Sequence, residues 1–132
     1  MSQKIAHIAL LVEDYDKAIA FYTEKLQFVL IEDTELSATK RWVSVAPKGP
    51  AGCCILLAKA DDELQASRIG NQTGGRVFLF LHTDDFQRDY QNLLAQGVQI
   101  IRQPVREPYG TVAVFSDLYG NLWDLIGPAG AG

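Results

Sequence analysis

His7 and Asp124 are ionisable residues set inside apolar strand-like runs, Ile5–Val12 and Leu122–Ile126. In an extended chain Leu122, Asp124 and Ile126 share one face, and Trp123 and Leu125 take the other. A carboxylate between two apolar neighbours is costly unless it is paired or wetted. Two readings follow. Asp124 forms an ordinary buried salt bridge, with Arg76 or Arg41 as the candidate partners, or it lines a cleft as a ligand-orienting or proton-carrying group. His7 divides in the same way. It is either a half-buried strand histidine bonded to a neighbour, or a cavity-facing proton acceptor or metal ligand. The two cysteines, Cys53 and Cys54, are adjacent. Neighbours on a strand point to opposite faces and rarely bond, so they read as reduced thiols of a cytoplasmic protein. A vicinal redox pair is the weaker alternative, since no Cys-x-x-Cys spacing or nearby basic group activates a thiolate.

The elements that position these residues come in two copies. Residues 12–19 (Val-Glu-Asp-Tyr-Asp-Lys-Ala-Ile) align with residues 83–90 (Thr-Asp-Asp-Phe-Gln-Arg-Asp-Tyr), an offset of 71. Residues 52–57 align with residues 120–125, an offset of 68. A repeat of this length bears on the fold before any single residue does. In the first copy Ile5–Val12 reads as a strand and Asp14 as an N-cap. Tyr15, Ala18, Ile19, Tyr22 and Leu26 then make one helical face. Phe28–Glu35, Arg41–Ala46 and Cys53–Ala58 read as three further strands. In the second copy Arg76–Thr83 is a strand, and Phe86, Tyr90, Leu93 and Leu94 mark a helix that ends at Gly97. Val98–Arg102, Thr111–Ser116 and Leu122–Ile126 are strands, and Pro104–Gly110 is expected to be a loop. The polar stretch between the copies holds a short helix over residues 61–68 and a Gly-rich connection. The closing stretch from Gly127 to Gly132 lacks bulky anchors and is expected to be mobile.

Composition narrows the class. A chain of 132 residues, 48% hydrophobic and 21% charged, suits one globular domain. The net charge of −4, with no basic cluster, argues against nucleic acid or an anionic membrane as partner. No apolar run is long enough to span a bilayer, and the start lacks the apolar core of a secretory signal. The single domain divides into a first module at about residues 4–59, a linker at 60–75 and a second module at about 76–127.

With β-α-β-β-β written twice, the chain resembles the vicinal oxygen chelate superfamily of glyoxalase-type lyases, bleomycin-resistance proteins and extradiol dioxygenases. The matching residues are the opening His7–Val12, the helix Lys17–Tyr22 with Leu26, and the closing Asp117–Leu125. The resemblance implies an α+β fold of two tandem βαβββ modules forming cupped mixed sheets. Two departures stand out: Leu118 where the closing turn usually has proline, and Gln27 where the first helix usually ends in glycine.

In metal-using members the ligands come from the first and last strands of each module. Here those positions are His7, Leu56, Phe78 and Asp124, so two offer donors and two offer hydrocarbon. A Zn, Ni, Mn or Fe centre needs about three protein donors. No cofactor is therefore expected. If a metal is bound, His7 and Asp124 are its ligands, with Glu107 a conceivable third. In a cupped sheet Leu56, Phe78 and Phe80 would line an apolar pocket with Arg76 at its rim, and Glu107 and Tyr109 lie on a loop that can reach the mouth. The expected function is a cytoplasmic, homodimeric small-molecule-binding protein that sequesters a ligand or does metal-free acid–base chemistry with His7 and Asp124 in one cavity. The alternatives are a metal-dependent lyase or dioxygenase-like enzyme with a non-standard ligand set, and a dimeric interaction module with a filled pocket.

Overall fold

The computed structural model describes residues 1–49 and 52–128. The chain forms two compact units, Met1–Ile69 and Gly70–Gly132. Each contains one helix-backed, four-stranded mixed sheet, so the chain is a tandem βαβββ protein of the α+β class. The first unit runs β1 (His7–Val12), α1 (Tyr15–Ala20), β2 (Val29–Glu35), β3 (Arg41–Ala46), β4 (Cys54–Lys59) and a short α2 (Glu63–Ser67). The second runs β5 (Val77–His82), α3 (Phe86–Ala95), β6 (Ile100–Glu107), β7 (Gly110–Ser116) and β8 (Leu122–Gly127). The sheet orders are β1-β4-β3-β2 and β5-β8-β7-β6. The first and last strands of each module pair in parallel and the rest are antiparallel.

The first helix starts where Asp14 accepts a 2.7 Å bond from the Lys17 backbone N–H, an ordinary side-chain cap. It continues as a π-helical turn, Phe21–Lys25. The wider turn buries the consecutive aromatics Phe21 and Tyr22. The chain then turns at Gln27, the one non-glycine residue among those described with positive φ, at 61°. This is the left-handed position where the resembled family usually has glycine. The second-copy helix is capped by Asp85 on the Arg88 N–H at 3.1 Å, and Gly97 leaves it at φ 73°.

Each helix covers one sheet face, and that face is the core. In the first unit Leu10, Leu57 and Val43 are matched across three strands and have no exposure. In the second, Trp123, Leu125 and Gly127 face α3. A Cβ added to Gly127 would lie 2.6 Å from the Phe86 Cβ, so only glycine allows that approach. Burying one such Leu or Phe side chain contributes about 1.5–3 kcal/mol.

Two sequence expectations need correction. β6 runs through to Glu107, so Pro104–Glu107 is strand where a loop was expected. Pro104 is tolerated because β6 is an edge strand and the ladder shifts register between Arg102 and Val105. The ladder also shifts between Val77 and Leu79. Phe78 therefore sits in an irregularity and not on a regular face with Phe80. The expected mobility of the C-terminal tail falls mostly on residues 129–132, outside the described residues. Among the described residues no helix is long and apolar enough to cross a membrane.

Replacing Gln27 by glycine relieves the left-handed strain. Gln27→Gly is expected to raise unfolding free energy by about 0.5–1 kcal/mol. Urea denaturation should show a higher midpoint at unchanged slope, and a lower midpoint would contradict the strain argument.

Candidate functional site

Cross-strand pairing sorts the side chains. In the second unit Phe80 is paired with Asp124, Asp124 with Val114, and Val114 with Arg102. Residues directly opposite one another share a face. These four therefore form one row across β5, β8, β7 and β6, on the face opposite α3. The next row is His82, Ile126, Val112 and Val105. Val112 and Val114 are buried and make an apolar floor, whereas Phe80 is 60% exposed. An aromatic ring that exposed beside a carboxylate has not been used for the core.

Asp124 is half-buried. Burial pushes its carboxyl above the usual carboxylate range, and the positive charge of Arg102 pulls it partly back. Arg102 in turn lies 3.6 Å from the Glu107 carboxylate. Of the two candidate partners named for Asp124, Arg41 is occupied within its own unit. Arg41, in the first unit, is held by Asp16 at 3.0 Å and Asp33 at 2.7 Å and lies over the Tyr15 ring. Arg76 is exposed ahead of β5, and its carbonyl accepts from the Thr73 hydroxyl.

The equivalent row of the first unit is Ala9, Leu56, Ser44 and Glu32. Ala9–Leu56 and Phe80–Asp124 are related by the same offsets, 71 and 68, that relate the two copies in sequence. The same scaffold thus holds hydrocarbon at Leu56 and a carboxylate at Asp124. His7 lies one step along β1 on the Ala9 face. It is exposed, paired across the sheet with Cys54, and edge-on to Trp42 with ring centroids 5.5 Å apart. Cys53 and Cys54 are free and half-buried. Tyr109 is 65% exposed in the β6–β7 turn, and Glu107 ends β6.

The second-unit row thus brings together Phe80 and Asp124 among the expected residues, and adds Arg102 and Val114, which the sequence did not single out. Glu107 joins through Arg102. His7 and Leu56 belong to the first unit, where Trp42 is the added neighbour. Among the described residues no group of three or more His, Cys, Asp or Glu side chains is arranged to hold a metal ion. The donor set does not fit a tight transition-metal centre of the type the resemblance implies. In each unit one of the two relevant positions, Leu56 or Phe78, has no donor atom.

Comparison with known proteins gives a consistent picture. The profile of the Glyoxalase/Bleomycin resistance protein/Dioxygenase superfamily matches residues 4–125. An uncharacterized protein of Shewanella frigidimarina is 58% identical over 127 residues, covering 96% of this chain and 94% of that protein. Among solved structures, UcmS2 is 34% identical with a TM-score of 0.82, covering 96% of this chain and 98% of its own. TnmS3, an antibiotic binding protein from Streptomyces sp. CB03234, is 32% identical with a TM-score of 0.78, covering 98% of both chains.

The desolvation of Asp124 has a pH signature. Folding raises its proton affinity, so its stabilising share is complete below pH 3.8, the ordinary value, and is lost as pH rises through the higher folded value. Asparagine has no charge to desolvate. Asp124→Asn is expected to raise Tm at neutral pH by about 2 °C, with the gain vanishing once the pH is brought below 3.8. Calorimetry at the two pH values checks it, and a variant less stable than wild type at neutral pH would show that the Arg102 attraction outweighs desolvation.

Proposed function

The chain belongs to the Glyoxalase/Bleomycin resistance protein/Dioxygenase superfamily, and on that premise we propose that it is a small-molecule-binding protein that sequesters an organic ligand without a metal. The observation that carries this reading is the row on the face opposite α3. An exposed Phe80, a desolvated carboxylate and an apolar floor stand side by side. Apolar surface supplies the affinity, and a few polar groups supply orientation. The likeness to an antibiotic binding protein at 32% identity over nearly the whole of both chains supports a ligand of natural-product size.

The ligand is held mainly by contact area and one carboxylate, so turnover is not required of the site. His7, Leu56 and Trp42 present a second apolar and aromatic surface on the first unit. Arg76, Phe78, Glu107 and Tyr109 flank the second-unit row at strand ends and the β6–β7 turn, and are proposed as peripheral contacts. The protein is proposed to act in the cytoplasm, where Cys53 and Cys54 stay reduced. It is also proposed to be a homodimer. β2 is an edge strand exposed along its whole length, with Val29, Leu30 and Ile31 uncovered, and such edges are usually paired or covered.

Three measurements test these statements. A thermal-shift screen against a broad panel of antibiotics should give at least one compound that raises Tm. Free ligand at a hundred times its Kd adds about 2.7 kcal/mol. Phe80→Ala should weaken that compound at least tenfold, roughly the worth of one buried aromatic contact. No stabilising compound, or an unaffected Phe80→Ala, would overturn the assignment to this face. Elemental analysis of protein purified without added metal should find well under one equivalent of Zn, Ni, Mn or Fe, and one full equivalent would replace the reading with a metal-dependent one. Light scattering should return twice the 14.6 kDa chain mass, and a monomer at micromolar concentration would remove the dimer.

A further inference from the structure

The row Phe80–Asp124–Val114–Arg102 is ordered as well as mixed, and that order specifies a ligand chemistry. We propose that the molecule bound on this face is a flat aromatic with a hydrogen-bond donor at one end and an acidic group at the other, its donor on Asp124, its acid on Arg102, its ring across Val114 and flanked by Phe80. This inference rests on the small-molecule reading above and narrows it.

Asp124 and Arg102 stand on strands separated only by β7, so their backbones are about 9.6 Å apart, twice the strand spacing. Between them the only side chain in the row is Val114, 7% exposed, which presents methyl groups and no hydrogen-bonding atom. A ligand that bridges the two charges must therefore be apolar in the middle. The exposed ring of Phe80 sits on the far side of Asp124 and offers a face or edge to an aromatic neighbour.

The charges are placed to discriminate. An ionised Asp124 only accepts hydrogen bonds, so it rejects a second carboxylate and receives N–H or O–H groups. Arg102 only donates. Its ion pair with Glu107, at 3.6 Å, is longer than a hydrogen bond, so a ligand acid would share the guanidinium with that carboxylate and not find it saturated. An amphoteric ligand matches both ends. A purely cationic ligand leaves Arg102 repelled, and a purely anionic one leaves Asp124 repelled. The corresponding row of the first unit, Ala9–Leu56–Ser44–Glu32, has no cation and no aromatic ring, so this recognition belongs to the second unit.

The test uses one rigid scaffold and the full-length protein. 6-Amino-2-naphthoate, 2-naphthoate and 2-aminonaphthalene are titrated into labelled protein, and the backbone amides of Phe80, Asp124, Val114 and Arg102 are followed by NMR. The amphoteric compound should bind about tenfold tighter than either single-ended one, the gain expected of a charge-assisted hydrogen bond near the surface. Asp124→Asn should erase its advantage over 2-naphthoate, and Arg102→Gln its advantage over 2-aminonaphthalene. Arg102 is exposed, so the second variant folds even if the first is perturbed. If all three bind equally and neither substitution matters, the inference falls while the small-molecule reading stands. If none moves these amides, the inference also falls, and the antibiotic screen decides the broader reading separately.

Discussion

Everything proposed for this protein depends on which way β8 faces. Trp123 and Leu125 are driven under α3, where they are 2% and 1% exposed. Gly127 lets Phe86 come so close that any side chain there would collide with it. Period-two geometry then leaves Asp124 only the opposite face. A one-residue slip would bury the carboxylate under the helix and expose the tryptophan. The apolar burial that stabilises the second unit is therefore also what holds a carboxylate out on the face opposite α3.

Both units use the same pairing scheme, and their differences lie in side chains. The register that sets Ala9 beside Leu56 also sets Phe80 beside Asp124. The first-unit row holds two apolar residues, a buried serine and one acid, Glu32, where the second-unit row is ordered aromatic–acid–apolar–base. The β-sheet supplies fixed spacings and common faces, and side-chain identity supplies the chemistry. Leu56 and Phe78 have no donor atoms, so the family-type positions do not supply the ligand set of a tight transition-metal centre. Apolar area and two opposite charges are what the proposed recognition would use.

Charge placement separates scaffold from site. Arg41 and Arg88 are each committed to two carboxylates of their own unit, and those neighbours push both guanidiniums above their ordinary range. Such exposed pairs are screened by solvent and add little stability, but they occupy the cations. Among the described residues, Arg102 has the loose Glu107 contact and the attraction of Asp124. It is the arginine on this face that is not held by a close ion pair, with exposed His82 of the next row the other basic side chain there.

The sequence alone determined the two βαβββ copies, the family resemblance, the Asp14 cap, the left-handed turn at Gln27 and the facing of Asp124. Each of these is local or periodic, and a short window of residues is enough to define it. The partners of Asp124 were decided only by tertiary pairing. Simple alternation puts Ile100 and Arg102 on one face, yet the ladder shift between them pairs Ile100 with buried Phe115 and Arg102 with Val114 on the opposite face. A second shift spares Pro104 and returns Val105 to the Arg102 face. The shift after Val77 likewise takes Phe78 out of the row that Phe80 joins. Each irregularity reverses the parity by which a strand is read, and its position depends on what lies across the sheet. Arg102 as the cation of the site was therefore beyond reach until the strands were paired.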